Sequence, residues 1–247
     1  MKKGIPFILP LLALLVSGCD VIDASLNAER IRGSGRVVQE KRDVRGFSEV
    51  RLATVGELSI QQTGSESLNI EAEDNILPKI ISEIEGSRLV IRTERGVSIS
   101  PTSTIRYTLT VRDLSALELS GSGTIHAATI NSHEFSLRLP GSGEIRLDGL
   151  TADSLSSEIS GSGKIEVPGK VVSQRVHISG SGDYDGRRLQ SRSADVSVSG
   201  SGDSTVWVQD DLTAHISGSG KVDYYGNPKV SQHVSGSGGV HSLGDRP

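Results

Sequence analysis

One nine-residue stretch decides the fold: Leu117-Glu118-Leu119-Ser120-Gly121-Ser122-Gly123-Thr124-Ile125. Apolar and polar residues alternate on both sides of its Gly-Ser-Gly, which is typical of β-strands that bury one face. The tripeptide returns about every twenty residues, at 121–123, 141–143, 161–163, 180–182, 200–202, 218–220 and 236–238, with one earlier copy at 33–35. A repeat with this period predicts a solenoid of stacked β-coils, in which no single coil can bury its apolar face alone.

The composition of the tripeptide suits the corners of such coils. Glycine accepts positive φ angles and close backbone approach, and the serine hydroxyl can bond a nearby backbone group. Neighbouring strands lie about 4.8 Å apart, so seven stacked corners predict a regular body about 29 Å long. Aromatic residues make up only 3% of the chain, so we expect a thin, aliphatic core. The predicted inward positions are mostly β-branched: Ile125, Ile145, Ile159, Ile165, Val167, Val176, Ile178, Val196, Val198, Val206, Ile216, Val222, Val234 and Val240.

The first half of the domain lacks this regularity. Strand-like runs occur at 47–52, 57–61, 67–72, 88–93 and 104–112, and residues 75–81 suggest a short turn or a single helical turn. We therefore expect a β-solenoid over 33–243, with irregular first coils at 33–112 and regular coils at 113–243. A separate small domain in the first part is the alternative.

The amino terminus carries an export signal. Lys2 and Lys3 precede an apolar run at 5–16, which is too short to span a bilayer, since that takes about twenty residues. This pattern predicts a signal peptide at 1–18. The following Val16-Ser17-Gly18-Cys19 resembles the lipobox of bacterial lipoproteins. The resemblance implies cleavage before Cys19, acylation of that residue with diacylglyceryl and palmitate-type chains, and a lipidated tether at 19–32.

The anchor places the protein in a bacterial cell envelope. Several acyl chains hold a protein on a membrane stably, so we expect an exported lipoprotein that faces the periplasm or the cell surface. The sequence leaves open which membrane carries it, and an ordinary signal peptide with an incidental cysteine is the alternative.

Cys19 is the only cysteine, so the domain has no disulfide. Without Lys2 and Lys3, 24 basic residues face 30 acidic ones, which argues against nucleic acid as a partner.

Four blocks resemble a known family: residues 33–38, 42–47, 70–76 and 117–123. They are similar to the putative auto-transporter adhesin, head GIN domain family, and the resemblance covers roughly residues 37 to 240. It implies a right-handed single-stranded parallel β-helix. These blocks are structural, so they indicate a fold and assign no catalytic residue.

The residues themselves give little reason to expect an enzyme. The repeated serines lack the strand–turn–helix setting of a hydrolase nucleophile, and Gly-Ser-Gly-Lys at 161–164 and 218–221 lacks the spacing of a phosphate loop.

Residues three positions before each corner form one predicted outward ladder: Glu118, Arg138, Glu158, His177, Ser197, His215 and His233. We interpret it as a polar ladder, with a surface metal site at His215 and His233 as the alternative. We expect no cofactor, no metal and no catalytic residue.

A second predicted ladder follows the corners: Thr124, Glu144, Lys164, Asp183, Asp203, Lys221 and Gly239. Opposite charges on neighbouring coils attract, so we expect Glu144 to pair with Lys164 and Asp203 with Lys221. Asp183 and Asp203 are adjacent carboxylates, and clustered acids are the one enzyme-like feature, since β-helix enzymes that cleave glycosidic bonds use them.

The scarce aromatic residues suggest a ligand-contact patch. Arg187, Trp207 and Tyr225 each lie five residues after a corner, and outward side chains of this kind can bind a sugar ring or a protein. Local packing over a corner is the alternative.

The sequence thus predicts a non-enzymatic envelope lipoprotein that displays a β-solenoid for adhesion to a protein or glycan, with a carbohydrate-active β-helix enzyme or a purely structural scaffold as alternatives. The open edge of the last coil also predicts self-association.

Overall fold

The structure is a computed structural model that describes residues 29–245, so the predicted signal peptide and Cys19 lie outside the described residues. Apart from one 3-10 turn at Leu77–Lys79, the regular structure is β. The strands are β1 Glu29–Arg32, β2 Val37–Arg42, β3 Glu49–Ala53, β4 Glu57–Gln62, β5 Ser67–Glu73, β6 Ile80–Glu85, β7 Arg88–Thr93, β8 Val97–Ser100, β9 Arg106–Val111, β10 Ala116–Leu119, β11 Thr124–Asn131, β12 Glu134–Leu139, β13 Glu144–Ile159, β14 Lys164–Glu166, β15 Gly169–Ile178, β16 Asp183–Val198, β17 Asp203–Gly218, β18 Lys221–Tyr225, β19 Lys229–Gly236 and β20 Gly239–Ser242. Within the described chain, no helix is long and apolar enough to cross a membrane.

The strands stack in parallel on two faces that meet at the Gly-Ser-Gly corners. Face A holds the strand segments before the corners, in the order β7, β3, β10, β12, β13, β15, β16, β17 and β19. Face B holds the segments after the corners, in the order β9, β4, β11, β13, β14, β16, β17, β18 and β20. The long strands β13, β16 and β17 contribute to both faces. The predicted all-β solenoid is confirmed, with about six turns.

Close backbone approach explains the glycines of the corners. A Cβ atom built on Gly161 would overlap the carbonyl oxygen of Gly141 one coil below and lie 2.9 Å from that of Pro140. The other regular corners repeat this contact. Positive φ, the other role expected of these glycines, occurs in the tripeptides only at Gly35, Gly218 and Gly236.

The serines of the last four corners, Ser181, Ser201, Ser219 and Ser237, contribute their backbone N–H groups. The N–H of Ser181 donates to the carbonyl of Gly161 at 3.2 Å, and the N–H of Ser201 donates to that of Gly180 at 3.1 Å. The side chains of these serines are exposed. These four corners are therefore linked to the coils below by backbone hydrogen bonds, rather than by the hydroxyl bonds that the sequence suggested.

One hydrophobic core runs from Val44 to Val222. Of the predicted inward residues, all are buried except the two on the last coil, Val234 and Val240. The core is largely aliphatic, as expected, but it also contains a polar group of side chains around Tyr184. Burial of the aliphatic face, at about 25 cal/mol per Å² of apolar surface, is the main stabilising contribution in a domain without disulfides.

The first coils differ from the regular ones because antiparallel strands cover them. β3 and β4 form a parallel coil beneath β10 and β11, whereas β6 pairs antiparallel with β7, β5 with β9, and β2 with β5. Arg42 of β2 donates to the carbonyl of Ile80 at 2.6 Å and to the hydroxyl of Ser82 at 2.9 Å. This guanidinium links β2 to β6 across the amino-terminal end of the solenoid, where Ile84 of β6 is 39% exposed.

A clasp formed by Glu73, Asp74 and Asn75 holds the earliest Gly-Ser-Gly against this end. The Glu73 carboxylate accepts the N–H of Gly35 at 2.7 Å and of Thr102 at 2.9 Å, as well as the Thr102 hydroxyl. Asn75 accepts the N–H of Ser34 at 3.0 Å, and Asp74 binds Arg36. Two sequence blocks that suggested the family, 33–38 and 70–76, thus bind each other directly.

We expect the clasp to make stability depend on acid pH. The hydroxyl of Thr102, followed by the N–H groups of Thr102, Gly35 and Ser103, holds the pKa of Glu73 below its ordinary value. A carboxylate with a lowered pKa stabilises the fold above its unfolded-state pKa, and this contribution is lost as the pH falls through the folded-state pKa. Thermal unfolding from pH 7 to pH 3 should therefore show a smaller decline in Tm for Glu73→Gln than for wild type. The matched control is Glu134→Gln, which removes an exposed carboxylate on face A. Equal declines for wild type and Glu73→Gln would contradict this role of Glu73.

Candidate functional site

The predicted outward ladder of face A is confirmed in full. Strand register places Glu118 opposite Arg138, Arg138 opposite Glu158, Glu158 opposite His177, and so on through Ser197 and His215 to His233. Arg138 lies 4.0 Å from Glu158, and Glu118 pairs instead with Arg51 one coil below, at 3.1 Å. The ladder therefore continues into the irregular coils.

The two histidines that suggested a metal site lie on neighbouring coils. The ring centroids of His215 and His233 are 6.3 Å apart, and the rings are tilted by 53°. Among residues 29–245, no group of three or more His, Cys, Asp or Glu side chains is arranged to hold a metal ion.

The ladder that follows the corners is confirmed in register, but its ion pairs differ from the prediction. Glu144 lies opposite Lys164 in register, yet the Lys164 ammonium lies 4.0 Å from Glu166 instead of pairing with Glu144. Asp203 accepts the backbone N–H of Lys221 at 3.0 Å rather than its ammonium. Asp183 and Asp203 are both exposed.

The structure brings Trp207 and Tyr225 together on face B. They are direct register neighbours on β17 and β18, and both are half-buried at outward positions of their strands. Arg187 does not share their register, contrary to the prediction. Gly186 pairs with Val206 and Gln190 with Trp207, so residues 187–189 form a bulge in β16, which spacing alone could not reveal.

Charged side chains surround this bulge. Asp185, whose side chain is 15% exposed, accepts the Arg187 Nε–H at 2.8 Å. Glu166, its register neighbour on β14, is 13% exposed and accepts Arg188 Nη2 at 2.5 Å. The hydrogen bond to Asp185 raises the pKa of the Arg187 guanidinium, and the proximity of Tyr225 and Glu166 adds to this rise.

We call these seven residues the bulge patch: Arg146, Glu166, Asp185, Arg187, Arg188, Trp207 and Tyr225. Arg146 belongs to it because its guanidinium lies 3.6 Å from Glu166. The sequence analysis found Arg187, Trp207 and Tyr225 but missed the four others. Arg146, Glu166 and Asp185 occupy one outward ladder on successive coils, so a search for charged residues that recur at the repeat spacing could have found these three.

Buried polar side chains lie directly beneath the bulge patch. Tyr184 donates to Gln174 at 3.0 Å, Gln174 donates to the Ser191 hydroxyl at 2.8 Å, and that hydroxyl donates to the backbone carbonyl of Trp207 at 3.0 Å. A Cβ atom on Gly186 would lie 2.7 Å from the Tyr184 ring, so the glycine at the start of the bulge makes room for that ring. We call Tyr184, Gln174 and Ser191 the polar seam. It ties the shape of the bulge to the position of Trp207.

A second surface feature lies on face A. A groove of about 300 Å³ is lined by residues that include Ser115, Ser136, Ser154 and Ser156, together with charged residues such as Arg88. Arg88 forms a two-point ion pair with Glu49, at 2.9 and 2.6 Å. The groove is also lined by the buried Phe135, whereas the bulge patch has two half-buried aromatic rings, Trp207 and Tyr225, at outward positions.

The bulge patch has the chemistry of a recognition surface. Aromatic rings supply apolar faces with polar edges, and guanidiniums held by half-buried carboxylates keep a fixed direction for charge-assisted hydrogen bonds. β-Bulges commonly re-aim side chains at functional sites. The fold defines the molecule as a β-solenoid repeat protein, and the bulge patch is its candidate contact surface.

Comparison with known proteins identifies the family. The sequence model described as "Putative auto-transporter adhesin, head GIN domain" matches residues 46–228. The chain belongs to this family, as its sequence blocks predicted. No curated protein matches the chain.

Solved structures share the fold. A putative adhesin from Bacteroides fragilis NCTC 9343 aligns with a TM-score of 0.83 and 22% identity, over 86% of this chain and 100% of that one. A putative lipid binding protein from Parabacteroides distasonis ATCC 8503 gives 0.74 and 23%, over 87% and 100% of the two chains. A putative adhesin from Parabacteroides merdae ATCC 43184 gives 0.69 and 20%, again over 87% and 100%. At these identities the likeness concerns the fold.

The polar seam yields a prediction about stability. Tyr184→Phe removes the hydroxyl that donates to Gln174 and leaves a buried acceptor without its donor, which costs about 1–3 kcal/mol. We expect urea unfolding to show a loss of this size. Tyr224→Phe, at a half-buried position on the same face, is the matched control and should change the free energy of unfolding by less than about 0.5 kcal/mol. Similar losses in both variants would show that the seam has no special role.

Proposed function

We propose that the protein is a non-enzymatic lipoprotein of the bacterial cell envelope that binds glycan chains through the bulge patch. The proposed organisation is a signal peptide at 1–18, a lipidated tether at 19–32, of which the last four residues form β1 and pair with β8, and the solenoid domain at 33–243. Membership of a family described as adhesins supports a location at the envelope or outside the cell. The observation that carries the proposal is the direct pairing of Trp207 with Tyr225 beside the bulge.

Glycans fit this surface better than most other ligands. A sugar ring presents an apolar face ringed by hydroxyls, so it needs an aromatic surface together with hydrogen-bond donors and acceptors. Trp207 and Tyr225 supply the first, while Arg187, Arg188 and Asp185 supply the second. The side chains of Arg187 and Arg188 are 55% and 48% exposed, so both guanidiniums are accessible at the surface.

The two other functions predict different observations. A carbohydrate-active enzyme would release new reducing ends from a glycan and would lose this activity in Asp183→Ala or Asp203→Ala. A structural scaffold would show no glycan binding and would co-purify from membranes with a fixed protein partner in mild detergent. Binding without cleavage is the result that supports the proposal.

We expect the bulge patch to account for the binding energy. Two assays measure binding. In the first, the protein is sedimented with purified peptidoglycan. In the second, soluble peptidoglycan fragments are titrated into the protein in a calorimeter. Trp207→Ala combined with Tyr225→Ala should weaken binding at least tenfold, because each stacked ring contributes about 1 kcal/mol or more. The control is Arg175→Ala on face A, which removes a large, exposed side chain outside the bulge patch. Unchanged affinity in the double variant, or no binding by wild type, would contradict the proposed ligand class.

The anchor has a separate test. Cells fed an alkyne-labelled fatty acid should label the wild-type protein and leave Cys19→Ser unlabelled, because the thioether forms on the Cys19 sulfur. Cys19→Ser should also leave the membrane fraction, since no acyl chain then holds it. Ser17→Ala, which keeps a small residue before the cysteine, is the control and should remain labelled. Equal labelling of wild type and Cys19→Ser would contradict the lipobox.

A further inference from the structure

The buried polar side chains of the core are unevenly distributed. Of the six buried polar or charged residues in the described part of the chain, Thr54 bonds to Thr93 and Glu73 belongs to the clasp. The four others lie on the strands β13, β15, β16 and β17: Ser157, Gln174, Ser191 and Ser204. Burial of a polar side chain costs free energy that hydrogen bonds must offset, so such a concentration in an aliphatic core needs a structural reason.

Strand pairing is discontinuous around Trp207. Between β16 and β17 the register shifts just before Gln190 and again just after Ser191, so only two pairs remain there, Gln190 with Trp207 and Ser191 with Val208. On the other side, the pair of Trp207 with Tyr225 is the last of the ladder between β17 and β18. An uninterrupted ladder, such as the one between β12 and β13, fixes the position of each side chain along it. Trp207 lacks such a ladder.

The Ser191 hydroxyl compensates for the interrupted ladder. Its O–H donates to the backbone carbonyl of Trp207 at 3.0 Å. Because a carbonyl only accepts hydrogen bonds, the Ser191 oxygen is left to accept one, and it receives the Gln174 Nε2–H at 2.8 Å. The Gln174 Oε1 atom then accepts the Tyr184 hydroxyl at 3.0 Å. The carbonyl of Trp207 thus sets the direction of every hydrogen bond in the polar seam.

We infer that Ser191 is the positioning residue of the bulge patch, because its hydroxyl holds the backbone of Trp207 and thereby keeps the ring beside Tyr225. Ser191 is 0% exposed, so it touches no ligand and acts only through Trp207. Gln174 and Tyr184 orient its hydroxyl, and a buried polar network whose members are all bonded makes its surroundings rigid. The inference rests on the proposed function, since the position of the ring matters for binding only if the bulge patch takes a ligand.

The chain contains a matched control for this role. Ser204 lies on β17, the strand of Trp207, and is 1% exposed. Its hydroxyl has no hydrogen-bond partner among the described residues. Ser204→Ala therefore removes the same group from the same region of the core without breaking a bond to Trp207. A difference between Ser191→Ala and Ser204→Ala reports the hydrogen bond to Trp207 rather than the loss of a buried hydroxyl.

The first measurement is the fluorescence of the full mature chain in mild detergent. Trp207 is the only tryptophan, so the emission reports on this ring alone. Ser191→Ala should shift the emission maximum to longer wavelength and increase quenching by acrylamide, because a ring that is no longer held in place gains access to water. Ser204→Ala should keep the wild-type spectrum. Both variants should keep the wild-type circular dichroism spectrum.

The second measurement asks whether binding uses this position of the ring. Soluble peptidoglycan fragments are titrated into the protein in a calorimeter. Ser191→Ala should weaken binding about threefold to tenfold, the usual penalty for ordering one mobile side chain on binding. Ser204→Ala should bind as the wild type does.

The two measurements separate the inference from the proposed function. A wild-type emission spectrum in Ser191→Ala, an equal shift in Ser204→Ala, or a shift in Ser191→Ala with unchanged affinity would each overturn the inference. A wild type that binds no glycan would contradict the proposed ligand class, whereas the spectral shift of Ser191→Ala would still support the positioning of Trp207. If Ser191→Ala fails to fold, Gln174→Met removes the donor to Ser191 with little change in side-chain length. It should shift the spectrum in the same direction, and a wild-type spectrum in that variant would overturn the inference.

Discussion

The whole domain depends on how closely the backbone of one corner approaches the backbone of the next. Between the Gly-Ser-Gly corners there is no room for a Cβ atom, as the positions of Gly141 and Gly161 show. This contact sets the register of every coil, because a slip by one residue would turn the inward valines and isoleucines outward. The parallel hydrogen bonds, the aliphatic core and the outward ladders all follow from that register. An identical corner on each coil therefore specifies the architecture and carries no ligand specificity of its own.

Much of this architecture was predictable from the sequence because the signal is periodic. The alternation around the corners predicted which residues are buried, and the constant offset from the corner predicted the ladder from Glu118 to His233. Prediction failed where the period breaks. Arg187 is not in register with Trp207 because residues 187–189 form a bulge. The spacing of the corners does not show where within a coil extra residues are accommodated. Val234 is exposed because burial of an inward residue requires a further coil, which a local pattern does not reveal.

The side-chain interactions were harder to predict than the backbone. Glu144 and Lys164 are register neighbours, yet the Lys164 ammonium lies near the half-buried Glu166 carboxylate. Arg146 and Arg188 also form ion pairs with Glu166. The clasp of Glu73, Asp74 and Asn75 joins segments about forty residues apart, and no repeat marks it. The candidate site was thus found in part, through its rare aromatic residues, and its charged frame became visible only once the coils were aligned.

The central claim is that the glycine positions of the stacked corners have no space for a side chain. One measurement tests this claim most directly. Gly161→Ala places a methyl group against the carbonyls of Gly141 and Pro140, whereas Ser162→Ala removes an exposed hydroxyl from the same corner. Urea unfolding should show that Gly161→Ala loses about 1–3 kcal/mol, the usual cost of overpacking. Ser162→Ala should stay within about 0.5 kcal/mol of wild type. Wild-type stability in Gly161→Ala, or equal losses in the two variants, would contradict the account.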